Sequence, residues 1–449
     1  MSRRVVISGL GPVSGLGVGM EPTWEAVCAG RSAVKRIEAF DPSGFDCCIG
    51  SEIRDFKVSK FVPRTYRKAT KVMARDIELA VAAADLAARD AKLDTKGTGP
   101  DGQPTYDPTR VGAHIGAGLI AAELDELTGA LVEARRDNGS FDIHKWGREG
   151  MSHLTPLWLL KYLPNMLACH VTIIHDCQGP SNTITCAEAS AGLSIGESLR
   201  VIQRGAADAC FCGGAESKLN PMAYLRQLMT GRYNTTDNGN PAAAVRPFCQ
   251  TAAGCVVGEG GGIVILEALD TFEQRAASSQ ASSLKPQAYA EVVGFGASQS
   301  VNLPKRNLQP DEQGRGIAVA IRSALREAGV GPDQIDLVIP YGLGQPESDR
   351  AEAAALQRVF GQTLGDVPIT SLKALAGNCG AGAGGLDACV GAMALARQTV
   401  PAIVNCEQPL AGLNAGTAAS RPADLRYVLT YTAGIGGQNA ALVLKRLET

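Results

Sequence analysis

One cysteine stands where the chain changes from a strand-like to a helix-like pattern. Asn182 to Thr185 form a β-prone run, and Ala187 to Arg204 place small and apolar residues at helical spacing without a proline. Cys186 therefore lies at a predicted strand-to-helix turn. The free backbone N–H groups and the positive end of the helix dipole at such a turn favour thiolate over thiol. The pattern predicts a nucleophile, although an isolated cysteine is more commonly a small buried hydrophobic residue.

Two other patterns with chemical potential are less well supported. Residues 192–196 match the G-x-S-x-G sequence of serine hydrolases, but they fall inside the predicted helix and not at a turn. The cysteine pairs Cys47–Cys48 and Cys210–Cys212 lack the spacing of metal ligands and are predicted to lie in the core. We therefore predict no metal site.

Composition limits the class of protein. The chain has 449 residues, of which 45% are hydrophobic, and a net charge of −2, so we expect a globular protein without affinity for nucleic acid. No charged-then-apolar leader and no run of about 18 apolar residues is present, which predicts a non-membrane protein. Thirteen cysteines without framework spacing are typical of a reducing compartment. The expected location is the cytoplasm.

The two parts of the chain repeat one rhythm of strand, helix and glycine turn. We predict a layered α/β fold with an internal duplication, divided into an N-terminal half (residues 1–270) with Cys186, a polar linker (271–287) and a C-terminal half (288–449). Three glycine-rich turns of the second half, at 341–346, 376–385 and 434–439, could line the same pocket as Cys186.

Six motifs in a fixed order carry a family resemblance that covers essentially the whole chain. They are RRVVISGLGPVSGLG with TWEAVCAGRSAV; GPSNTITCAEASAG with GAADACFCGGAES; VRPF with GEGGGIVILE; YGLGQPESDRAE; SLKALAGNCGAGAGG; and GIGGQNAALVL. This series resembles the β-ketoacyl-acyl carrier protein synthases, most closely the synthase II type. The resemblance implies the thiolase-like fold, with five layers in the order α-β-α-β-α.

The resemblance also implies a reaction. In the family a cysteine takes an acyl chain from a carrier protein, and a malonyl group on a second carrier protein loses CO2 and attacks the acyl thioester. By match, Cys186 is the nucleophile, and the backbone N–H groups of Cys186 and Ile435 form the oxyanion hole. Lys373 matches the family's lysine, and Glu259 matches a buried glutamate with a structural role. The chain needs no cofactor of its own, because the phosphopantetheine arm belongs to the carrier protein.

The departures from the family pattern concern the same site. Tyr341 and Asn378 replace the two active-site histidines, and Ile435 replaces a gating phenylalanine. Leu343 and Gln345 stand where threonines would contact pantetheine. A tyrosine and an asparagine can each donate a hydrogen bond to an enolate, but neither is a suitable general base near pH 7.

The implied partners are an acidic acyl carrier protein, acyl and malonyl thioesters, and a second copy of the chain in a homodimer. A basic cluster from Lys57 to Arg75 is a candidate docking surface for the carrier protein, although a solvated helix face is the simpler explanation of these charges. Two alternatives stay open: a subunit like the chain-length factors, which pairs with an active synthase in a heterodimer, and a cysteine-dependent acyltransferase that does not condense.

Overall fold

The computed structural model describes residues 3–99, 102–278, 285–305 and 310–448. The strands are β1 (Val5–Ser14), β2 (Gly17–Val18), β3 (Val34–Arg36), β4 (Ile49–Ser51), β5 (Val111–Gly116), β6 (Ser181–Ile184), β7 (Ala209–Glu216), β8 (Val257–Gly258), β9 (Gly260–Ala268), β10 (Ala290–Gln299), β11 (Leu337–Ile339), β12 (Thr399–Val400), β13 (Arg421–Pro422), β14 (Tyr427–Ala433) and β15 (Gln438–Lys445).

The α-helices are α1 (Met20–Cys28), α2 (Arg75–Asp90), α3 (Leu124–Glu133), α4 (Ile143–Arg148), α5 (Met166–His175), α6 (Ser190–Gln203), α7 (Pro221–Leu228), α8 (Leu269–Ser278), α9 (Arg315–Ala328), α10 (Pro346–Phe360), α11 (Lys373–Ala376) and α12 (Ala383–Arg397). Among the described residues, no helix is long and apolar enough to cross a membrane.

One large sheet runs through both halves of the chain. Its strand order is β11-β14-β15-β10-β1-β9-β7-β5-β6, with β2 paired to β1. At its centre β1 pairs antiparallel with β9 along nearly its whole length and with β10 through Val6–Glu291 and Ile7–Ala290. The strands next to Cys186, which are β5, β6 and β7, are parallel. The parallel strands therefore bring their carboxyl ends to one edge, where β6 leads into the Cys186 turn.

The helices form layers on this sheet. α6 and α12 pack against each other and against strands of both halves, so they make the central layer. α2 and α5 cover the strands of the first half, and α9 covers β10 and β15 of the second half, with α10 packed against α9. This arrangement confirms the predicted layered α/β fold with an internal duplication.

The duplication is visible in how helices meet strands. In β1, a Cβ on Gly11 would lie 2.0 Å from the carbonyl oxygen of Ala83 in α2; in β10, a Cβ on Gly296 would lie 2.0 Å from that of Ala320 in α9. Both strands also shift register at equivalent places, between Ile7 and Gly9 and between Val292 and Gly294. In both halves, glycine allows a helix backbone to approach a strand closely.

Two local predictions differ from the structure. α6 begins at Ser190 and not at Ala187, because Ala187 has a left-handed backbone (φ +48°) that ends the turn before the helix starts. The predicted linker begins with α8, whose Phe272 is buried; residues 279–284 of that linker lie outside the described part. The division into residues 1–270, 271–287 and 288–449 stays a prediction.

Candidate active site

Cys186 occupies the tight turn between β6 and α6, as predicted. Its side chain is half-buried, and burial raises the pKa of the Cys186 thiol. Its backbone N–H donates to the Ser190 hydroxyl at 2.8 Å, and that hydroxyl in turn donates to the Ala187 carbonyl at 2.6 Å. Burial thus acts against the thiolate, and α6 starts four residues after Cys186. The expected stabilisation of the thiolate by the helix end stays a prediction.

Glu188, two residues after the cysteine, is the centre of a buried hydrogen-bond cluster. Four donors from separate parts of the chain reach its carboxylate: Arg232 Nη2 at 2.9 Å, the Tyr341 hydroxyl at 2.9 Å and Asn378 Nδ2 at 3.2 Å on Oε1, and the Ile435 N–H at 2.9 Å on Oε2. Burial alone would raise the pKa of Glu188, but the charge of Arg232 and these hydrogen bonds lower it to about 2. Glu188 is therefore a carboxylate in the folded chain.

Arg232 is the cation of this cluster. It follows α7, and its side chain is only 3% exposed. Its Nη1 donates to the Tyr341 hydroxyl at 3.1 Å, while its buried Nε has no hydrogen-bond partner among the described residues. Burial raises the pKa of Tyr341 well above its usual range, so this hydroxyl keeps its proton and donates a hydrogen bond to Glu188.

The four donors come from segments that the fold brings together. Tyr341 follows β11, Asn378 follows α11, and Ile435 lies in the turn between β14 and β15. The predicted convergence of three glycine-rich turns on the Cys186 turn is present in these contacts. Tyr341 and Asn378, the two residues predicted to stand in place of the family's histidines, both bind Glu188.

The two N–H groups predicted to form an oxyanion hole both have acceptors within the chain. The Cys186 N–H is taken by Ser190 and the Ile435 N–H by Glu188, at 2.8 and 2.9 Å. The assignment of these two N–H groups to an oxyanion hole stays a prediction. Both acceptors, Ser190 and Glu188, lie within four residues of Cys186 in the chain.

Lys373 does not reach the cluster. Its buried Nζ forms an ion pair with Asp387 Oδ2 at 2.6 Å and lies 5.7 Å from the ring centroid of Tyr341. The predicted catalytic assignment of Lys373 has no direct contact behind it. Lys373 is paired with Asp387 of α12 and lies next to the Tyr341 ring, where it helps to position the tyrosine.

Glu259, predicted to have a structural role, is a buried carboxylate. Its carboxylate accepts hydrogen bonds from Arg75, the Ser217 hydroxyl and the Ile53 N–H. Arg75 is thus half-buried and paired, which removes it from the candidate docking surface.

The two predicted pantetheine-contact positions are closed. Leu343 is fully buried in the core of the second half, and Gln345 is 5% exposed. The Gln345 Oε1 accepts from the Ser348 N–H at 2.8 Å, so its side chain caps α10. Neither residue lines the cavity beside the cluster, and the expected pantetheine contact of both stays a prediction.

A cavity of about 290 Å³ adjoins the Glu188 cluster. Its walls contain the ion pair of Lys218 with Glu216. The lining residues are Ala117, Gly118, Leu119, Thr185, Ala187, Glu188, Glu216, Lys218, Gln227, Arg232, Tyr233, Asn378, Gly380 and Ile435. Ile435 therefore lies both on the cavity and next to Glu188, in a place suited to the predicted gate.

Sequence reasoning did not find Glu188, Ser190 or Arg232. The one available signal was for Glu188, because an acidic residue stands there within a run of small residues directly after Cys186. Arg232 gave no signal, because its partner is 44 positions away. The three buried histidines, His114, His170 and His175, bind Ser198, Tyr66 and Thr95 and take no part in the cluster.

Two family descriptions match this chain. Residues 2–271 match the β-ketoacyl synthase N-terminal domain and residues 289–407 match the C-terminal domain. The chain belongs to the β-ketoacyl synthase family. The predicted resemblance is thereby confirmed.

Relatives of this β-ketoacyl synthase support the synthase II type. The 3-oxoacyl-[acyl-carrier-protein] synthase 2 of Vibrio cholerae is 30% identical over 451 residues, covering 99% of each chain. Two solved structures, the ishigamide ketosynthase/chain length factor and a β-ketoacyl synthase from Burkholderia phymatum, are each 26% identical and cover 100% of both chains, with TM-scores of 0.81 and 0.82. The thiolase-like ketosynthase fold is therefore confirmed.

Proposed function

We propose that the chain is a condensing acyltransferase of fatty acid or polyketide-type synthesis. It takes an acyl group from an acyl carrier protein onto Cys186 and extends it with two carbons from a malonyl carrier protein. The observation that carries this proposal is the convergence of Tyr341, Asn378 and Ile435 on Glu188, two residues after the cysteine. Membership of the family supports the same reaction.

In the first step Cys186 Sγ attacks the thioester carbonyl. The bond from that carbon to the pantetheine sulfur breaks, and the sulfur leaves as a thiol with the proton of the cysteine. The oxygen of the intermediate accepts from the N–H groups of Cys186 and Ile435 once their present acceptors release them. Such donors act on charge that develops in the transition state, and each contributes about a 10²- to 10³-fold effect on rate.

In the second step the malonyl group loses CO2. The electron pair of the broken C–C bond forms an enolate, whose oxygen accepts hydrogen bonds from the Tyr341 hydroxyl and Asn378 Nδ2. The carbanion attacks the acyl thioester, a new C–C bond forms, and Cys186 leaves as a thiolate that takes a proton from water. Both donors are neutral, so they stabilise the enolate through hydrogen bonds without serving as a base.

An acyl carrier protein is the proposed partner. The remaining members of the basic cluster are exposed and form a docking surface for an acidic protein: Lys57, Lys60, Arg64, Arg67, Lys68 and Lys71. All thirteen cysteines are free, which supports action in the reducing cytoplasm. The pantetheine arm comes with the partner, so the reaction needs no cofactor held by this chain.

A homodimer is the proposed assembly. Ten large apolar side chains between residues 119 and 173 are exposed: Leu119, Leu124, Leu131, Val132, Phe141, Ile143, Met151, Leu157, Leu159 and Ile173. The same region leads into β6, which is the edge strand of the large sheet. Exposed apolar surface and an open strand edge both favour association with a second copy.

Intact-protein mass spectrometry with acyl and malonyl carrier proteins tests the reaction. We expect an acyl adduct on Cys186, CO2 release and a β-ketoacyl product, all absent in Cys186→Ala. Tyr341→Phe should reduce condensation by about 10²-fold, because one enolate donor is lost. Tyr224→Phe is the matched control, since that buried tyrosine donates only to carbonyls of Cys47 and Ile49.

The alternatives have different results in the same experiment. A stable adduct on Cys186 without CO2 release would identify a cysteine-dependent acyltransferase. No adduct, together with co-purification of a second synthase, would identify a chain-length-factor-like subunit. Undiminished condensation in Tyr341→Phe would remove the tyrosine from the mechanism.

A further inference from the structure

Two buried cysteines that the proposed reaction does not use are in contact with each other. Cys249 lies between α7 and β8, Cys406 lies between β12 and β13, and their side chains are free thiols of residues 3% and 1% exposed. The Cys406 thiol donates a hydrogen bond to the sulfur of Cys249. We propose that Cys249 and Cys406 are a peroxide-sensitive pair that closes a reversible disulfide. This modification site is separate from the acyl transfer proposed for Cys186.

The backbone holds the two cysteine-bearing segments side by side. Two hydrogen bonds of 2.8 Å join residues 248–250 to residues 408–410 in a short antiparallel bridge. The Asn405 side chain, directly before Cys406, donates to two carbonyls of the loop 242–245 at 2.8 and 3.1 Å. The second segment is therefore tied to the first on both sides of Cys406, and the contact of the sulfurs does not depend on side-chain rotamers alone.

Each of the two cysteines follows a residue with a left-handed backbone. Phe248 has a φ of +56° and Asn405 a φ of +61°. This conformation is uncommon for residues other than glycine, costs on the order of 1 kcal/mol, and persists only where the surrounding structure imposes it. The fold therefore determines the backbone directly before both thiols.

The two thiols differ in acidity. Burial acts to raise the pKa of Cys249, but hydrogen bonds from Thr251, the Gln408 backbone and Cys406 outweigh it and lower that pKa below its usual value. The Thr251 hydroxyl lies 3.3 Å from the Cys249 sulfur. Burial raises the pKa of Cys406 to about 12. Since the thiolate is the reactive form, Cys249 is the nucleophile of the pair and Cys406 keeps its proton.

Hydrogen peroxide is the oxidant of the proposed reaction. Gln250 and Thr251, directly after Cys249, are exposed, so the path from solvent to the sulfur is short. The Cys249 thiolate attacks one oxygen of the peroxide, the O–O bond breaks, hydroxide leaves, and a sulfenic acid forms. The Cys406 sulfur then attacks the Cys249 sulfur, and the sulfenic hydroxyl leaves as water with the proton of Cys406. The two sulfurs lose two electrons, peroxide gains them, and a dithiol reverses the change.

The disulfide would act on the turn that contains Tyr341. The Phe248 N–H donates to Asp349 Oδ2 at 2.7 Å, and the Gly344 N–H donates to Asp349 Oδ1 at 3.1 Å. One carboxylate thus links the residue before Cys249 to the turn after Tyr341. A disulfide draws the two sulfurs to about 2 Å from each other, which displaces this segment. This consequence rests on the proposed function, whereas formation of the disulfide does not.

Peptide mass spectrometry without reductant, after treatment of the full chain with hydrogen peroxide, tests the pair. We expect a Cys249–Cys406 cross-link that forms at least about tenfold faster than oxidation of any other cysteine and that dithiothreitol removes. In Cys406→Ser the sulfenic acid of Cys249 should persist and react with dimedone, and in Cys249→Ser both products should be absent. Cys210→Ser is the control and should leave the cross-link unchanged, because burial raises the pKa of Cys210.

The native chain alone can overturn the inference, so the result does not depend on whether a variant folds. Absence of the cross-link, or a cross-link of Cys249 to another cysteine, would reject the pair. Condensation should be lost in the oxidised native chain, return with dithiothreitol, and persist in peroxide-treated Cys249→Ser. Unchanged condensation in the cross-linked chain would reject the effect on the Tyr341 turn. A reduced chain that never condenses would reject the proposed function and leave the cross-link standing.

Discussion

At Cys186, burial acts on the sulfur and hydrogen bonding acts on the backbone nitrogen. The first raises the pKa of the thiol, and the second assigns the N–H to Ser190. Both effects reduce reactivity in the chain as folded. As the proposed nucleophile, Cys186 therefore depends for its activation on a bound substrate or on movement of its neighbours, and not on a preformed thiolate.

The raised pKa predicts a distinct pH dependence for Cys186. Only the thiolate reacts with iodoacetamide, so the rate should rise about tenfold per pH unit from pH 7 to 8.5 without a plateau. Peptide mass spectrometry of timed samples measures this rate, and Cys186→Ser separates it from labelling at other cysteines. A plateau below pH 8 would show that the thiolate is already stabilised, contrary to the effect of burial.

The residues of the site were predictable to different degrees. The strand-to-helix turn at Cys186 follows from local periodicity, and Tyr341, Asn378 and Ile435 follow from motif order. Glu188 does not, because a glutamate near the start of a predicted helix ordinarily faces solvent. Its burial depends on Arg232, and only the folded chain shows that contact.

At the scale of elements, the same packing of a helix on a strand occurs in both halves. α2 lies on β1, and α9 lies on β10, with alanine carbonyls against strand glycines in both pairs. The sequence predicted the duplication from its repeated rhythm, but the close approach of helix and strand depends on which glycines face a helix. In the first half this contact supports the strand next to β9, which continues the sheet toward the Cys186 turn.

Added methyl groups at these contacts should destabilise the chain. Gly11→Ala or Gly296→Ala places a Cβ about 2 Å from a helix carbonyl oxygen, and we expect a loss of at least ~2 kcal/mol in the free energy of unfolding. Urea denaturation measures the loss. Gly147→Ala is the control, because a Cβ there meets no atom within 4 Å and alanine favours helix α4. Native-like stability in both strand variants would contradict the close approach.

At the scale of the whole molecule, two surface regions lie in different parts of the chain. The exposed residues of the basic cluster lie between 57 and 71, and exposed apolar side chains concentrate between 119 and 173. One region suits a transient acidic partner and the other a permanent apolar contact. Neither surface contains Cys186.

The apolar region predicts a dimer that charge should dissociate. Light scattering at micromolar concentration should give twice the mass of the 46.7 kDa chain, and Val132→Glu with Leu157→Glu, both 65% exposed, should give the single mass. Val319→Glu, at a 50% exposed position on α9, should remain dimeric. A monomeric native chain, or a double variant that stays dimeric, would place the interface elsewhere or remove it.

The central place of β1 has a consequence for synthesis of the protein on the ribosome. Val6 pairs with Glu267 on one side and Glu291 on the other, and all ten residues of β1 are buried in the finished sheet. At about 5–20 residues per second, these partners emerge on the order of 10 to 50 seconds after the strand itself. During that time the apolar residues of β1 have no partner on either side. The nascent chain should therefore depend on chaperones until the second half begins to appear.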